Sequence, residues 1–213
     1  MGAMNRDKLI ETKMRWATEG RLLVPQPAGR GRLPPGQTLV QDWPVLDLGA
    51  QPNLTRRDWR LTAGGLVSRS IDWGWDELHR LSESQSISDI HCVTQWSRYD
   101  NEWAGISGRN LVDYLQPLPT ARFVRIRSFD SYATTVPLAD FIADGAMLAT
   151  HWQGEPLTRA HGGPVRLIIP QLYFWKSAKW LRHLWFTDRD APGYWEARGY
   201  HERGDPWRQE RYK

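Results

Sequence analysis

The chain has a single cysteine in 213 residues, Cys92. A lone thiol cannot close an intrachain disulfide, so its roles narrow to packing, nucleophilic attack or metal ligation. Long apolar runs are missing too. A membrane span needs roughly 18 to 20 consecutive apolar residues, and none is present, so no transmembrane role is expected. The first residues lead into Asp7, Glu11 and Glu19 rather than into an apolar segment, so no secretory signal is expected. These features point to the cytosol, where a free thiol stays reduced. Lysine is scarce, five residues (Lys8, Lys13, Lys176, Lys179 and Lys213) against 23 arginines. Arginine suits bidentate recognition of phosphate and sulfur oxyanions. Neither a Walker loop nor a Rossmann glycine fingerprint occurs, which removes the usual nucleotide motifs.

The formal net charge is +4, with 40% hydrophobic and 24% charged residues, the balance of a globular chain. Residues 1–36 hold seven basic and three acidic groups, which leaves 21 of each in residues 37–213 from totals of 28 and 24. A nucleic-acid binder concentrates its charge on the folded surface, and a neutral body argues against nucleic acid as a partner.

Periodicity predicts an amphipathic helix over 7–19, with Leu9, Ile10 and Met14 on one face, followed by a Pro/Gly-rich arm over 25–36 that wraps the body. The chain thus divides into residues 1–36, helix and arm, and one domain over 37–213. Within that domain short apolar segments split by Gly, Pro and Asn predict strands over 59–67, 87–96, 122–127, 132–136, 147–152, 165–169 and 180–186. Short helices are expected over 75–81, 107–115 (with Ser107 as N-cap) and 137–142. The fold class is α+β, with strand-dominated mixed or barrel-like sheets and few short helices. Thirteen tryptophans, five of them in the last forty residues, either fill a core or line a site for a planar ligand.

Cys92 closes the apolar run of Asp89-Ile90-His91-Cys92-Val93-Thr94-Gln95-Trp96-Ser97, a strand end that can support a reactive group. An unpaired cysteine is also among the most buried residue types, and on its own Cys92 is as well explained by packing. Two later stretches look built for anions. His161-Gly162-Gly163-Pro164-Val165-Arg166 places close-approach glycines beside a fixed turn and an arginine. Lys176-Ser177-Ala178-Lys179 sets two ammoniums and a hydroxyl around a small residue. Taken singly, the glycines serve turns, the lysines solvation and Arg166 a surface ion pair.

Taken together, the run from Asp89 to Leu115, Ser128 to Leu138, His161 to Pro170 and Lys176 to Leu181 resemble the sulfite oxidase family of molybdopterin-dependent oxidoreductases. Leu33 to Gln37 and Gly204 to Trp207 resemble its compact, single-domain bacterial branch. The resemblance implies a molybdenum-molybdopterin cofactor with Cys92 as the protein ligand, consistent with the match of a soft thiolate to a metal already held by two sulfurs. It implies pterin and phosphate contacts from Ser128, His161, Arg166, Ser177, Ala178 and Lys179. Tyr132 matches a tyrosine that faces the metal centre and orients substrate, and Arg98 is a candidate cation over an oxyanion. His91 is expected to pack beside the ligand strand. The implied reaction is oxygen-atom and two-electron transfer on a small oxyanion or sulfoxide, with a separate flavin or haem protein as electron partner. Two other readings remain at this point: a Cys-His hydrolase pairing Cys92 with His91, His151 or His161, and a pterin-binding protein without catalysis.

Overall fold

A computed structural model describes residues 6–19 and 31–213. Helix α1 spans Arg6–Thr18, and Ile10 and Met14 from its predicted apolar face pack on the body. The part of the expected arm before Gly31 lies outside the described residues. Eleven strands follow: β1 (Thr38–Leu39), β2 (Leu61–Gly65), β3 (Ile71–Trp73), β4 (Ser84–His91), β5 (Trp96–Ser107), β6 (Phe123–Ser128), β7 (Ala133–Pro137), β8 (Met147–Trp152), β9 (Glu155–Pro156), β10 (Arg166–Ile168) and β11 (Leu181–Thr187). Three short helices interrupt them, α2 (Trp75–Leu78), α3 (Gly108–Leu115) and α4 (Leu138–Phe141).

The strands form two sheets. In the first, the long β5 pairs antiparallel with β4 and β8 and parallel with β1, while β8 continues to β9 and β10. The second runs β3-β2-β11-β6-β7, with β2 parallel to β11 and the other pairs antiparallel. Leu61, Val124, Ile126, Val136, Leu148, Leu167 and Leu184 are fully buried in one core that both sheets share. Each such side chain contributes roughly 1.5 to 3 kcal/mol by leaving water. Alternation made β6 legible: its burial pattern runs in, out, in, out from Val124 to Arg127. At α3 the expected N-cap holds, the Ser107 hydroxyl accepting from the Asn110 amide at 3.1 Å.

The short β3 and β9 were not expected from the sequence pattern, and the long β5 is the main element that it missed. Its centre, Tyr99-Asp100-Asn101-Glu102, reads as a polar turn, and Asp100 adopts φ 53°. The strand continues because Asn101, fully buried, donates to the Ser88 and Arg98 carbonyls and accepts from the Trp152 indole. Arg32 of the arm then ties Asp89 and Asp100 together at 2.6 and 2.8 Å.

One buried ion pair fixes the segment that leads into β11. Lys176 and Glu196, side chains 1% and 2% exposed, approach to 2.5 Å. The Lys176 ammonium also donates to the Thr135 carbonyl, and Glu196 accepts from Thr134 and the Trp175 indole. Lys176 is therefore a structural strut on β7 rather than a second anion ligand. Burial pushes its pKa down, against the pull of Glu196. Removing one partner of such a pair strands a buried charge. Lys176→Met is expected to lower unfolding free energy by about 3 to 5 kcal/mol, measured by urea denaturation against the parent protein.

Candidate active site

Cys92 sits at the corner between β4 and β5. Its amide donates to the Trp96 carbonyl at 2.8 Å, and the Gln95 amide returns to the Cys92 carbonyl at 3.0 Å. Gln95 takes the left-handed conformation, φ 70°, which closes the three-residue turn. The Thr94 hydroxyl donates to the Cys92 sulfur at 3.1 Å. Burial raises the thiol pKa, and the Thr94 hydrogen bond and the charge of Arg211 oppose that rise. His91 is buried beside it with Nδ1 2.8 Å from the Ser97 hydroxyl, and burial lowers its pKa to about 4, so it is neutral and packed as expected.

The sulfur opens into a cleft shared with Tyr132, Arg166, Ser177, Ala178 and Lys179. Six of the nine predicted residues thus meet in one place. Strand β10 carries Arg166 into the wall, and residues 177–181 run beside it: Leu167 donates to the Ala178 carbonyl, Leu181 to the Val165 carbonyl, and Ile169 to the Ser177 hydroxyl. Gly162 makes this possible. It takes φ +100°, and a Cβ there would sit 2.8 Å from the Lys179 Cβ. At Gly163 a Cβ would sit 2.1 Å from the Leu157 carbonyl oxygen. Both positions require glycine.

Arg166 is 1% exposed. Its guanidinium donates to the carbonyls of His161 and Ser177, both at 2.7 Å, and lies over the rings of Trp43 and Phe174. Among the described residues no carboxylate pairs with it, which corrects the expected surface ion pair. Burial pulls its pKa down to about 9, so it remains a cation near neutrality. A buried, uncompensated charge is costly unless an anion offsets it. Lys179 stands nearby, its ammonium donating to the Ala160 carbonyl at 2.7 Å.

Three predicted residues lie elsewhere. Arg98 does not reach the cleft. Across the hairpin it pairs in register with Ile90, and its guanidinium is held by the Gln41 carbonyl at 2.9 Å, the Asn101 side chain at 2.5 Å and the face of Trp152. Ser128 is buried at the end of β6, outside the cleft wall, and its hydroxyl has no hydrogen-bond partner among the described residues. His161 stands behind the wall, stacked on Trp43 with ring centres 4.1 Å apart. Its side chain does not line the cleft, and its part is the carbonyl that holds Arg166. Tyr132 does line the cleft, but its hydroxyl proton is already given to the Trp175 carbonyl at 2.6 Å, and burial raises its pKa well above the usual phenol value.

Sequence reasoning missed Trp43, Phe174, Trp195 and Tyr200, which complete the wall. The aromatic-rich tail was the signal for three of them, Phe174, Trp195 and Tyr200. Ile10 and Met14 of α1 also border the cleft, which nothing in the periodicity of that helix could indicate.

Residues 48–195 match the oxidoreductase molybdopterin binding domain. The chain belongs to that family. An uncharacterized oxidoreductase of Bacillus subtilis (strain 168), YuiH, is 41% identical over 185 residues, 85% of this chain and 92% of that protein. The protein-methionine-sulfoxide reductase catalytic subunit MsrP of Campylobacter jejuni is 24% identical over 162 residues, and mitochondrial sulfite oxidase of Macaca fascicularis 27% over 178. The chain covers 54% of the former and 33% of the latter. The sulfane dehydrogenase SoxCD of Paracoccus pantotrophus has the same fold, with a TM-score of 0.62 at 18% identity over 81% of this chain and 53% of that one.

The residues present fit the family's cofactor at both of its chemical ends. A soft sulfur donor stands in the same cleft as a buried cation that lacks an anion. Among the described residues no group of three or more His, Cys, Asp or Glu side chains is placed to hold a metal ion.

The His161 imidazole carries a pH dependence. Burial, Arg166 and Lys179 lower its pKa to about 4, from 6.5 when unfolded. Above pH 6.5 neither state binds the proton; as pH falls from 6.5 towards 4 the unfolded state takes it up first, so stability declines across that window. His161→Gln is expected to flatten part of this decline, read as the melting temperature at pH 7 and pH 4.5, with His91 and His183, whose pKa values burial also lowers, contributing in the same direction.

Proposed function

We propose that the chain is a molybdenum-cofactor-dependent oxidoreductase that exchanges an oxygen atom and two electrons with a small oxyanion or sulfoxide. One observation carries this reading: the uncompensated Arg166 cation and the Cys92 sulfur line the same aromatic-walled cleft. Cys92 is the metal ligand, its thiol giving up the proton on coordination. Arg166 and Lys179, with the Ser177 hydroxyl, hold the phosphate of the pterin through charge-assisted hydrogen bonds. Trp43, Phe174 and Trp195 exclude water from the space between. When bound, the cofactor supplies the oxygen-atom exchange and the two-electron change. Tyr132, anchored to the Trp175 carbonyl, presents a fixed phenol oxygen to the cleft and donates to substrate only by trading that bond. A separate flavin or haem protein in the cytosol, the compartment that suits a lone thiol, completes the electron path.

Within this reading the cleft favours a neutral sulfoxide over sulfite. Among the described residues, the only cations in its wall are Arg166 and Lys179, both assigned to the phosphate, while Asp130 adds a carboxylate. An anionic substrate therefore lacks the cation that Arg98 was expected to provide.

Protein purified from a host competent in pterin synthesis is expected to hold close to one molybdenum per chain, and Cys92→Ser to abolish turnover; active protein without molybdenum would refute the proposal. Arg166→Met should reduce the retained pterin, measured as fluorescence of the oxidised, released cofactor. With a reduced electron donor for sulfoxide reduction and an oxidised acceptor for sulfite oxidation, both saturating, kcat/KM for a dialkyl sulfoxide is expected to exceed that for sulfite by about tenfold or more, the worth of roughly 1.4 kcal/mol of charge discrimination. A preference for sulfite would reverse the substrate assignment.

A further inference from the structure

The turn that presents Cys92 is held from outside itself. Two consecutive carbonyls, those of Cys92 and Val93, receive side-chain donors from opposite ends of the chain. Gln37 Nε2 donates to the Cys92 carbonyl at 3.1 Å, and Arg211 Nη1 to the Val93 carbonyl at 2.6 Å. Neither donor lies within residues 48–195, the part of the chain that the family description matches.

Each donor is fixed in turn. Gln37 is buried, and its Oε1 accepts from the Ser97 hydroxyl at 3.3 Å. With that hydroxyl donating to Gln37, it accepts from His91 Nδ1, so the hydrogen bonds run one way from His91 through Ser97 and Gln37 to the Cys92 carbonyl. The Gln37 backbone is set by β1, where Thr38 donates to the Gln95 carbonyl at 2.8 Å and Val40 to the Ser97 carbonyl at 2.9 Å. Arg211 lies over the Tyr173 ring at 5.0 Å, and its second nitrogen is 3.4 Å from the Pro35 and Gly36 carbonyls. No carboxylate among the described residues pairs with Arg211, so its donors go to main-chain oxygens of the arm and the turn.

The turn needs such support. Gln95 holds a left-handed conformation that costs a non-glycine residue about 1 kcal/mol or more unless its surroundings impose it. A metal-ligand bond tolerates displacement of only about 0.2 Å, so a ligand on a loop must be held by neighbours whose own positions are fixed.

We propose that Gln37 and Arg211 are positioning residues that clamp the Cys92 turn in its ligating conformation, so that the arm and the C-terminal tail complete the metal site. This rests on the reading of Cys92 as the molybdenum ligand.

The test uses the full chain, produced with the cofactor and also in a host that cannot make it. Cys92 is the only cysteine, so alkylation by iodoacetamide in cofactor-free protein reports on this turn alone. Gln37→Met is expected to speed alkylation about tenfold; Arg211→Ala, which also removes the charge that lowers the Cys92 thiol pKa, is expected to speed it by a smaller factor. In the loaded protein they should weaken or shift the thiolate-to-molybdenum absorption per molybdenum and lower kcat by about tenfold, as loss of groups that orient a metal ligand generally does. KM is expected to stay unchanged. Arg211→Lys, which keeps a cationic donor, should recover part of each effect, and Lys213→Ala, at an exposed ion pair with Glu202, none. If Arg211→Ala loses its cooperative melt, Gln37→Met decides. Alkylation and absorption both equal to wild type in the folded variants would overturn the clamp. A wild-type protein without molybdenum, or a Cys92→Ser protein with unchanged absorption, would instead overturn the ligand assignment beneath it.

Discussion

The arrangement of this protein depends on a buried positive charge, Arg166, with which no carboxylate of the described residues pairs. Arg166 is buried, bonded only to carbonyls and covered by two aromatic rings. Such a group is tolerable when its hydrogen bonds are met and useful when an anion completes it. The local fold serves that placement: Gly162, which admits no side chain, lets residues 162–169 and 177–181 close on each other, Gly163 fits against the Leu157 carbonyl, and Trp43 stacked on His161 seals the outer side. Lys176, which might have added a second buried cation, is neutralised by Glu196 and turned towards β7.

Opposite demands meet across the same cleft. The phosphate end asks for hard, charged donors, and the metal end for a soft sulfur. In the proposed assignment Cys92 meets the second at a hairpin corner, where one side chain can project from two paired strands while the backbone stays fixed. Trp175 and Trp195, packed on Tyr200 at 5.2 and 5.0 Å, form an aromatic part of the wall between the two ends. Both ends of the described chain return to this corner: Arg32 and Gln37 from the arm, Arg211 from the tail. A site assembled this way cannot be separated from the segments that flank the family's shared core.

Much of the fold was legible because half-buried strands alternate. Strands β6, β7, β8 and β11 appear where alternation or apolar runs put them, within one or two residues. Strand β5 was hidden, since a left-handed Asp100 and a buried Asn101 look like a turn until Trp152, Ser88 and Arg98 are seen to satisfy the amide. Six of the nine site residues converged as the motifs implied. Arg98 failed because distance along the chain says nothing about which face of a hairpin a side chain takes when neighbouring carbonyls compete for it.

By itself the sequence determined the class of the fold, the identity of the sulfur and the motifs around it, because those follow from residue type, period and order. Only tertiary structure decided which cations are free to bind an anion. Arg166 and Lys176 are both buried and basic, and what separates them is whether a carboxylate arrives from elsewhere in the chain: Glu196 reaches Lys176, and none reaches Arg166. That difference depends on long-range packing, which no local pattern encodes.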